Sequence, residues 1–309
     1  MPADGPLVIA VVGPTASGKS ELALRLAEAV GGEVVGADAM QLYRGMDIGT
    51  AKLPLAQRRG VPHHQIDVLD VTDEATIAAY QVAARRSVAD VRGRGLHPVV
   101  AGGSGLYVRA ALDHLEIPPT DPEVRARLEA EAEAQGPAPL FALLTERDPV
   151  AAGRIGPHNV RRVIRALEVV EITGRPFSAT MPERRHLLPT AVLGLRPPRE
   201  LLDLRIDSRV EQMWREGLVD EVRSLVPHGI RRGRTASRAL GYAQALAQLD
   251  GTMTRDRAIA ETAQATRRYA RRQESWFRPD PRIHWVDPGG AGALDDAVAW
   301  VEKAIADNG

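Results

Sequence analysis

The chain has 309 residues, 44% of them hydrophobic and 26% charged, with 40 basic and 40 acidic side chains in balance. That length suits one large α/β domain, or a core carrying a smaller insertion, and the composition excludes wholesale disorder. No cysteine is present, which excludes disulfides, zinc–thiolate centres and thiol nucleophiles.

In chain order, residues 7–12 are a β-branched run with strand character. Residues 21–30 put Leu22, Leu26 and Val30 on one helical face before Gly31-Gly32 stops it. Strands are expected at 33–37, 64–69 and 98–101, with a helix at 75–91, and this alternation implies a parallel sheet with helices on both faces. From 118 to about 182 there are helices and turns but no strand. Asp121-Pro122 pairs an N-cap with a proline at the first helical position, Gly136 ends that helix, and Asp148-Pro149 starts another. Residues 191–195 read as a strand returning to the sheet. Helices at 201–226, 239–249 and 258–277, a short strand at 283–286 and a terminal helix complete the chain. The expected organisation is an α/β core of residues 7–117 and 191–309 with an all-helical insertion, 118–190. No apolar run approaches the roughly 20 residues that span a bilayer, and residues 1–5 lack a signal peptide's basic start. A cytoplasmic protein with no membrane partner is expected.

Between the first strand and the first helix stands Gly13-Pro14-Thr15-Ala16-Ser17-Gly18-Lys19-Ser20, which fits Gly-x-x-x-x-Gly-Lys-Ser, a P-loop, and makes the core P-loop NTPase-like. In such a loop the glycines let backbone N–H groups curl around phosphate oxygens, the helix N-terminus adds positive potential, Lys19 reaches the terminal phosphate and Ser20 ligates Mg²⁺. Lys19 is one of only three lysines, with Lys52 and Lys303, in a chain that otherwise uses arginine as its surface cation. A P-loop by itself leaves the reaction open. Asp38 is expected at the carboxyl end of a strand beside the P-loop strand, where open α/β sheets bind ligands; it reads equally as a turn or N-cap aspartate.

Zero net charge means that a nucleic-acid partner has to rest on local clusters. Residues 223–238 hold five arginines and no acid, and residues 255–278 hold seven arginines against Asp256, Glu261 and Glu274. His63-His64 does not make a metal pair, because adjacent strand side chains face opposite ways. Gly102-Gly103-Ser104-Gly105 lacks the spacing of a dinucleotide fingerprint.

The P-loop octet, the run from Asp38 to Tyr43, Met46-Asp-Ile-Gly-Thr-Ala-Lys52 and Gly102-Gly-Ser-Gly-Leu-Tyr107 together resemble the bacterial tRNA dimethylallyltransferases, also called tRNA isopentenyltransferases. Further matches are Asp121-Pro-Glu-Val-Arg125, Arg161-Arg-Val-Ile-Arg-Ala-Leu-Glu168, Ala239-Leu-Gly-Tyr242 and Arg271-Arg-Gln-Glu-Ser-Trp-Phe277, so that the resemblance covers about 9–286. It implies transfer of the dimethylallyl group of dimethylallyl diphosphate to N6 of the adenosine 3′-adjacent to the tRNA anticodon, position 37, with release of diphosphate. By that resemblance Gly13, Pro14, Thr15, Ala16, Ser17, Gly18, Lys19 and Ser20 hold the diphosphate, with Mg²⁺ as cofactor on Ser20. Asp38, Lys19, Ser104 and Arg209 are the expected catalytic set, with Asp38 as the base that takes the N6 proton. Contacts to the tRNA anticodon stem-loop are expected from Asp38, Ala39, Met40, Gln41, Ser104, Arg125, Arg161, Arg162, Val163, Ile164, Arg165, Arg238, Ala239, Leu240, Gly241 and Tyr242. A monomer is expected.

Reaching N6 of a stacked base requires the nucleotide to be extruded, with Trp276 and Phe277 as candidate stacking platforms or core residues. On pattern alone Arg161, Arg162 and Arg165 also read as a solvated helix face. The chain departs from the family at Ala39, where serine is usual, at Ser20 and Ser104, where threonine is usual, and at Asn159, where aspartate is frequent. Three other readings stay open: a P-loop kinase acting with ATP, an adenylate isopentenyltransferase acting on a free nucleotide, and a P-loop RNA-binding module without catalysis.

Overall fold

Val8, Ile9, Ala10, Val11 and Val12 are all buried, as a strand covered on both faces requires. The computed structural model, which describes residues 5–180 and 184–308, makes them the inner strand β1 (Val8–Val12) of a six-stranded parallel sheet. The sequence readings made on residues 1–4 and at 181–182 lie outside the described residues. Helix α1 (Lys19–Val30) starts at Gly18, with φ 96°, and stops at Gly31, with φ 64°, whose N–H bonds Ala27 O. Strands β2 (Gly32–Gly36) and β3 (His63–His64), helix α2 (Ile77–Gly93), strand β4 (His97–Gly102) and helix α3 (Gly105–Leu112) follow. The third strand is shorter than the expected 64–69, because Gln65 and Asp67 take φ of 58° and 57° and curl the chain out of the sheet. Helix α3 has no counterpart in the sequence reading.

After the helical insertion come β5 (Thr190–Leu195), α8 (Arg199–Arg215), α9 (Leu218–Leu225), α10 (Tyr242–Leu249), α11 (Arg255–Phe277), β6 (Ile283–Val286) and α12 (Ala293–Asn308). The expected helix 201–226 is two helices, broken at Gly217, whose φ of 99° is left-handed. Likewise 239–249 is helical only from Tyr242, since Gly241 has φ 86°. The strand order β3-β2-β4-β1-β5-β6 corrects a second expectation: the strand that leads to Asp38 is not the neighbour of β1, because β4 lies between them. One apolar cluster joins β1, β4 and β5 to α1 and α12, and a second is built from α8, α9, α10 and α11 around Tyr43, Met46 and Tyr242. No helix among the described residues is long and apolar enough to cross a membrane.

The chain divides into two compact units, His114–Arg185 and the remainder. The smaller contains α4 (Pro122–Gln135), α5 (Ala138–Arg147), α6 (Pro149–Ile155) and α7 (Val160–Thr173) around Leu128, Leu140, Leu144, Val163 and Leu167. Its helices start as the composition dictates: Asp121 accepts from Glu123 N at 2.8 Å, Asp148 from Ala151 N at 2.9 Å and Asn159 from Arg162 N at 3.4 Å. Asparagine caps a helix as well as aspartate does, which accounts for Asn159. The unit ends at Arg185 rather than near 190. Residues from His186 onward pair with the larger unit, where Leu187 N donates to Leu112 O at 2.8 Å and His186 bridges Asp113.

Candidate active site

The P-loop leaves β1 at Gly13, where φ is 145° and a Cβ would come within 2.6 Å of Leu195 O, so only glycine makes this exit. The loop is tied from outside: Thr15 N donates to Oε1 of the buried Gln273, on α11, at 2.8 Å. Ser17 is buried with no hydrogen-bond partner for its hydroxyl. The Lys19 ammonium donates to Pro14 O at 2.6 Å. Desolvation pulls its pKa down to about 7; the charge of Asp38 opposes this and that of Arg209 adds to it. Arg209, on α8, is also lowered, by desolvation first and by Arg205 second. Two desolvated cations therefore converge on the loop, an arrangement that an incoming polyanion stabilises.

Asp38 follows β2 and caps its own turn, its Oδ1 accepting from Met40 N at 2.9 Å. The intervening strand β4 ends in Gly102-Gly103, and this allows Asp38 to share space with the P-loop. A Cβ at Gly102 would overlap Ala37 O, and one at Gly103 would overlap Gln273 Nε2. Above these glycines opens a cavity of about 300 Å³, lined by Thr15, Gly18, Lys19, Ser20, Asp38, Gln41, Thr50, Arg209 and Gln273 among others. A second cavity, of about 280 Å³, has Ala39, Met40, Ile206, Val210, Met213, Ala239 and Leu240 as its apolar lining, with Arg238, Tyr242, Thr262, Thr266, Tyr269 and Arg272. Thr15, Asp38, Thr50, Ala51 and Arg209 belong to both walls.

The segment carrying Thr50 and Ala51 is held from below by Glu221 and Lys52, to which the sequence assigned no role, and by Tyr242, which it expected as an RNA contact. Glu221 of α9 accepts from Asp47 N at 3.1 Å, Ile48 N at 2.7 Å and the Tyr242 hydroxyl at 2.5 Å. The Tyr242 ring packs where a Cβ of Gly49 would stand, and burial followed by Glu221 pushes its phenol pKa up. Buried Lys52 bonds Tyr43 O, Asp47 and Asp67, the last two at 2.6 Å. Gln273 has a sequence signal, its place in Arg271-Arg-Gln-Glu-Ser-Trp-Phe277; Glu221 has none, since its backbone partners Asp47 and Ile48 lie more than 170 residues away.

The other expected site residues are distributed unevenly. Ala39, Met40, Arg238, Ala239, Leu240 and Tyr242 line the second cavity and Gln41 the first, whereas Gly241 and Ser104 line neither. Ser104 is the N-cap residue of α3, with no side-chain cap bond. In the helical unit Arg125 and Arg165 donate to the buried Glu168 at 2.7 and 2.8 Å, and Arg165 also bonds Pro118 O and Pro119 O. Burial works against the Glu168 carboxylate, but hydrogen bonds from Arg125, then Arg165 and Asp121 N, hold its pKa below the ordinary value. Arg161 and Arg162 are exposed. Val163 and Ile164 are a correction: both are buried in that unit's apolar core, so their side chains are not available to RNA. Trp276 covers Gly105 and Phe277 is buried, which makes the latter a core residue. His63 bonds Val61 O and His64 bonds Glu33, two separate contacts.

Among the described residues no group of three or more His, Asp or Glu could hold a metal ion. The donor present is the exposed Ser20 hydroxyl at the cavity wall, a hard oxygen beside the phosphate-type loop. That donor set fits Mg²⁺, which keeps most of its waters and takes its remaining ligands from phosphate oxygens.

The family model described as IPP transferase matches residues 41–280, and that described as isopentenyl transferase matches residues 6–61. A protein of Kineococcus radiotolerans named tRNA dimethylallyltransferase is 61% identical over 295 residues, 93% of each chain. The crystal structure of a Bacillus halodurans tRNA isopentenylpyrophosphate transferase superposes with a TM-score of 0.71 at 36% identity, covering 98% of this chain and 97% of that one. A eukaryotic dimethylallyltransferase, solved acting on tRNA, superposes with a TM-score of 0.83 at 27% identity, covering 98% and 80%.

Proposed function

The chain belongs to the IPP transferase family, and from that premise we propose that it transfers the dimethylallyl group of dimethylallyl diphosphate to N6 of the tRNA adenosine 3′-adjacent to the anticodon. The observation that carries this reading is the presence of Asp38 in the walls of two cavities. One is cationic and phosphate-binding in character, the other apolar with arginines.

In this reading the diphosphate enters the first cavity, where the P-loop N–H groups, Lys19 and Arg209 bind it. As the allylic C1–O bond breaks, its electron pair passes to the diphosphate, and these preorganised cations stabilise the growing charge. The Ser20 hydroxyl would hold Mg²⁺, which when bound would supply further neutralisation of the leaving group. The adenine occupies the second cavity with N6 toward Asp38. The N6 lone pair forms the new N–C1 bond and the Asp38 carboxylate takes the N6 proton, leaving a neutral secondary amine. Ala39 removes one hydroxyl from this region but leaves the carboxylate unaffected. Arg238 and Arg272, both exposed, and Arg161 and Arg162 on α7 are suited to flanking phosphates. The apolar second cavity favours a base over a second nucleotide triphosphate, and so prenyl transfer over a kinase.

The test is to incubate the protein with unmodified tRNA, Mg²⁺ and either dimethylallyl diphosphate or ATP, then digest and weigh the nucleosides. A prenylated adenosine with the first donor and none with the second is expected. Consumption of ATP with no gain in nucleoside mass overturns the reading.

A further inference from the structure

The helix that places Arg209 between the two cavities also builds one side of the second. On α8, Ile206, Val210 and Met213 recur at helical spacing, and all three belong to the second cavity's wall and not to the first's. Ile206 and Val210 are 1% and 2% exposed, so they back the wall from behind. Met213 is only partly buried: it rests on the same apolar cluster and keeps accessible surface. A long side chain in a helix leans toward the helix N-terminus, over the preceding turn. For Met213 that turn carries Arg209, roughly 6 Å back along the axis.

We propose that Met213 is a specificity-determining residue that limits the prenyl donor to a single isoprene unit; this rests on the proposed prenyl transfer to tRNA adenosine. With the diphosphate on the P-loop and Arg209, C1 of the donor lies where the two walls meet, beside Asp38. The base needs polar partners, and the side of the second cavity that carries Arg238, Tyr269 and Arg272 has them. The prenyl chain has no polar atom, and beyond Arg209 helix α8 contributes only Val210 and Met213 to the wall. The turn between Arg209 and Met213 matches the reach of a dimethylallyl chain, so the terminal methyls end against the thioether side chain. A second isoprene unit would need the volume that Met213 fills, in a wall whose backing residues are already packed and yield only at a cost.

Two prenyl donors and three variants test this. With unmodified tRNA and Mg²⁺, the wild type should use geranyl diphosphate about 100-fold less efficiently than dimethylallyl diphosphate, since one methylene in an apolar pocket already changes kcat/KM by about 10-fold or more. In Met213→Ala the ratio of the two kcat/KM values should move toward geranyl diphosphate by about 10-fold. The transfer itself is the same: the C1–O electron pair leaves with diphosphate, N6 bonds C1 and Asp38 takes the N6 proton. The product, N6-geranyladenosine, is read by its mass after digestion. Both donors are measured on one preparation, so the ratio does not depend on how much of a variant is folded. Met213→Phe should raise KM for dimethylallyl diphosphate about 10-fold and leave KM for tRNA within about twofold, while Met213→Leu, similar in volume, should keep the wild-type ratio. A wild type indifferent to chain length would overturn the proposal, as would a ratio unmoved in Met213→Ala, which puts the chain in the first cavity. So would a Met213→Phe defect in KM for tRNA alone, which gives this wall to the base. A wild-type protein that prenylates no tRNA with either donor is a different result, and it removes the proposed function instead.

Discussion

Two groups of cations that look alike in the sequence are treated in opposite ways by the fold. Lys19 and Arg209 line a cavity, no ion pair holds either among the described residues, and desolvation lowers both pKa values. Arg125 and Arg165, in the helical unit, close on Glu168, which is 0% exposed and held below its ordinary pKa despite burial. The first pair carries an unmet demand for an anion and is ready to bind one. The second pair is already satisfied and acts as scaffold. Cation count therefore says little about binding; what matters is whether a carboxylate of the same chain has already answered the charge.

The sharpest way to break this contrast is at Asp38, whose charge raises the Lys19 pKa against desolvation. Asp38→Asn keeps the shape and the acceptor toward Met40 N but removes the base, so kcat should fall about 10²–10⁴-fold with tRNA affinity retained, read by single-turnover prenylation and filter binding. Normal turnover would move the base elsewhere. On the other side, Glu168→Ala should cost about 2–3 kcal/mol in urea unfolding, because charged hydrogen bonds are lost, while affinity for dimethylallyl diphosphate stays within twofold. Unchanged stability would mean that Arg125 and Arg165 are free for ligand after all.

The smallest effect is in pH. With its pKa at about 7, Lys19 is mostly neutral at pH 8 in the free protein, and a bound diphosphate restores its proton. Binding then takes up a proton, so affinity falls as pH rises above 7, by up to about tenfold per unit, and levels off below 7 where both states are protonated. Calorimetry in buffers of different ionisation enthalpy should detect the uptake in the wild type and not in Lys19→Met. Folding of the free protein has the opposite sign: the cost of holding this lysine at a lowered pKa lessens, and stability rises, as pH rises from 7 toward the unfolded value.

Much of the architecture was legible because its signals are local. The P-loop octet, the Asp121 and Asp148 caps and the β-branched strand 8–12 depend on neighbours within a few residues. The misreadings share a cause. Positive φ at Gln65, Asp67 and Gly217 interrupts runs whose hydrophobic pattern continues through them, and pattern alone does not register backbone handedness. Val163 and Ile164 lie inside a string rich in arginine, yet helical geometry turns them into the core and leaves Arg161 and Arg162 outside.

By itself the sequence determined that a loop of P-loop pattern stands at Gly13 to Ser20, that a carboxylate follows the second strand, and which family the motifs resemble, since each is written in contiguous residues. Only the tertiary structure decided that β4 comes between the two strands and that its terminal glycines leave Asp38 and Lys19 facing one cavity. It alone joined Glu221 to the 47–49 backbone, Gln273 to the P-loop and Met213 to a cavity wall. Those contacts depend on distance in space between residues remote in the chain, and on burial, which turns an ordinary lysine or glutamate into a group whose partner has to be accounted for.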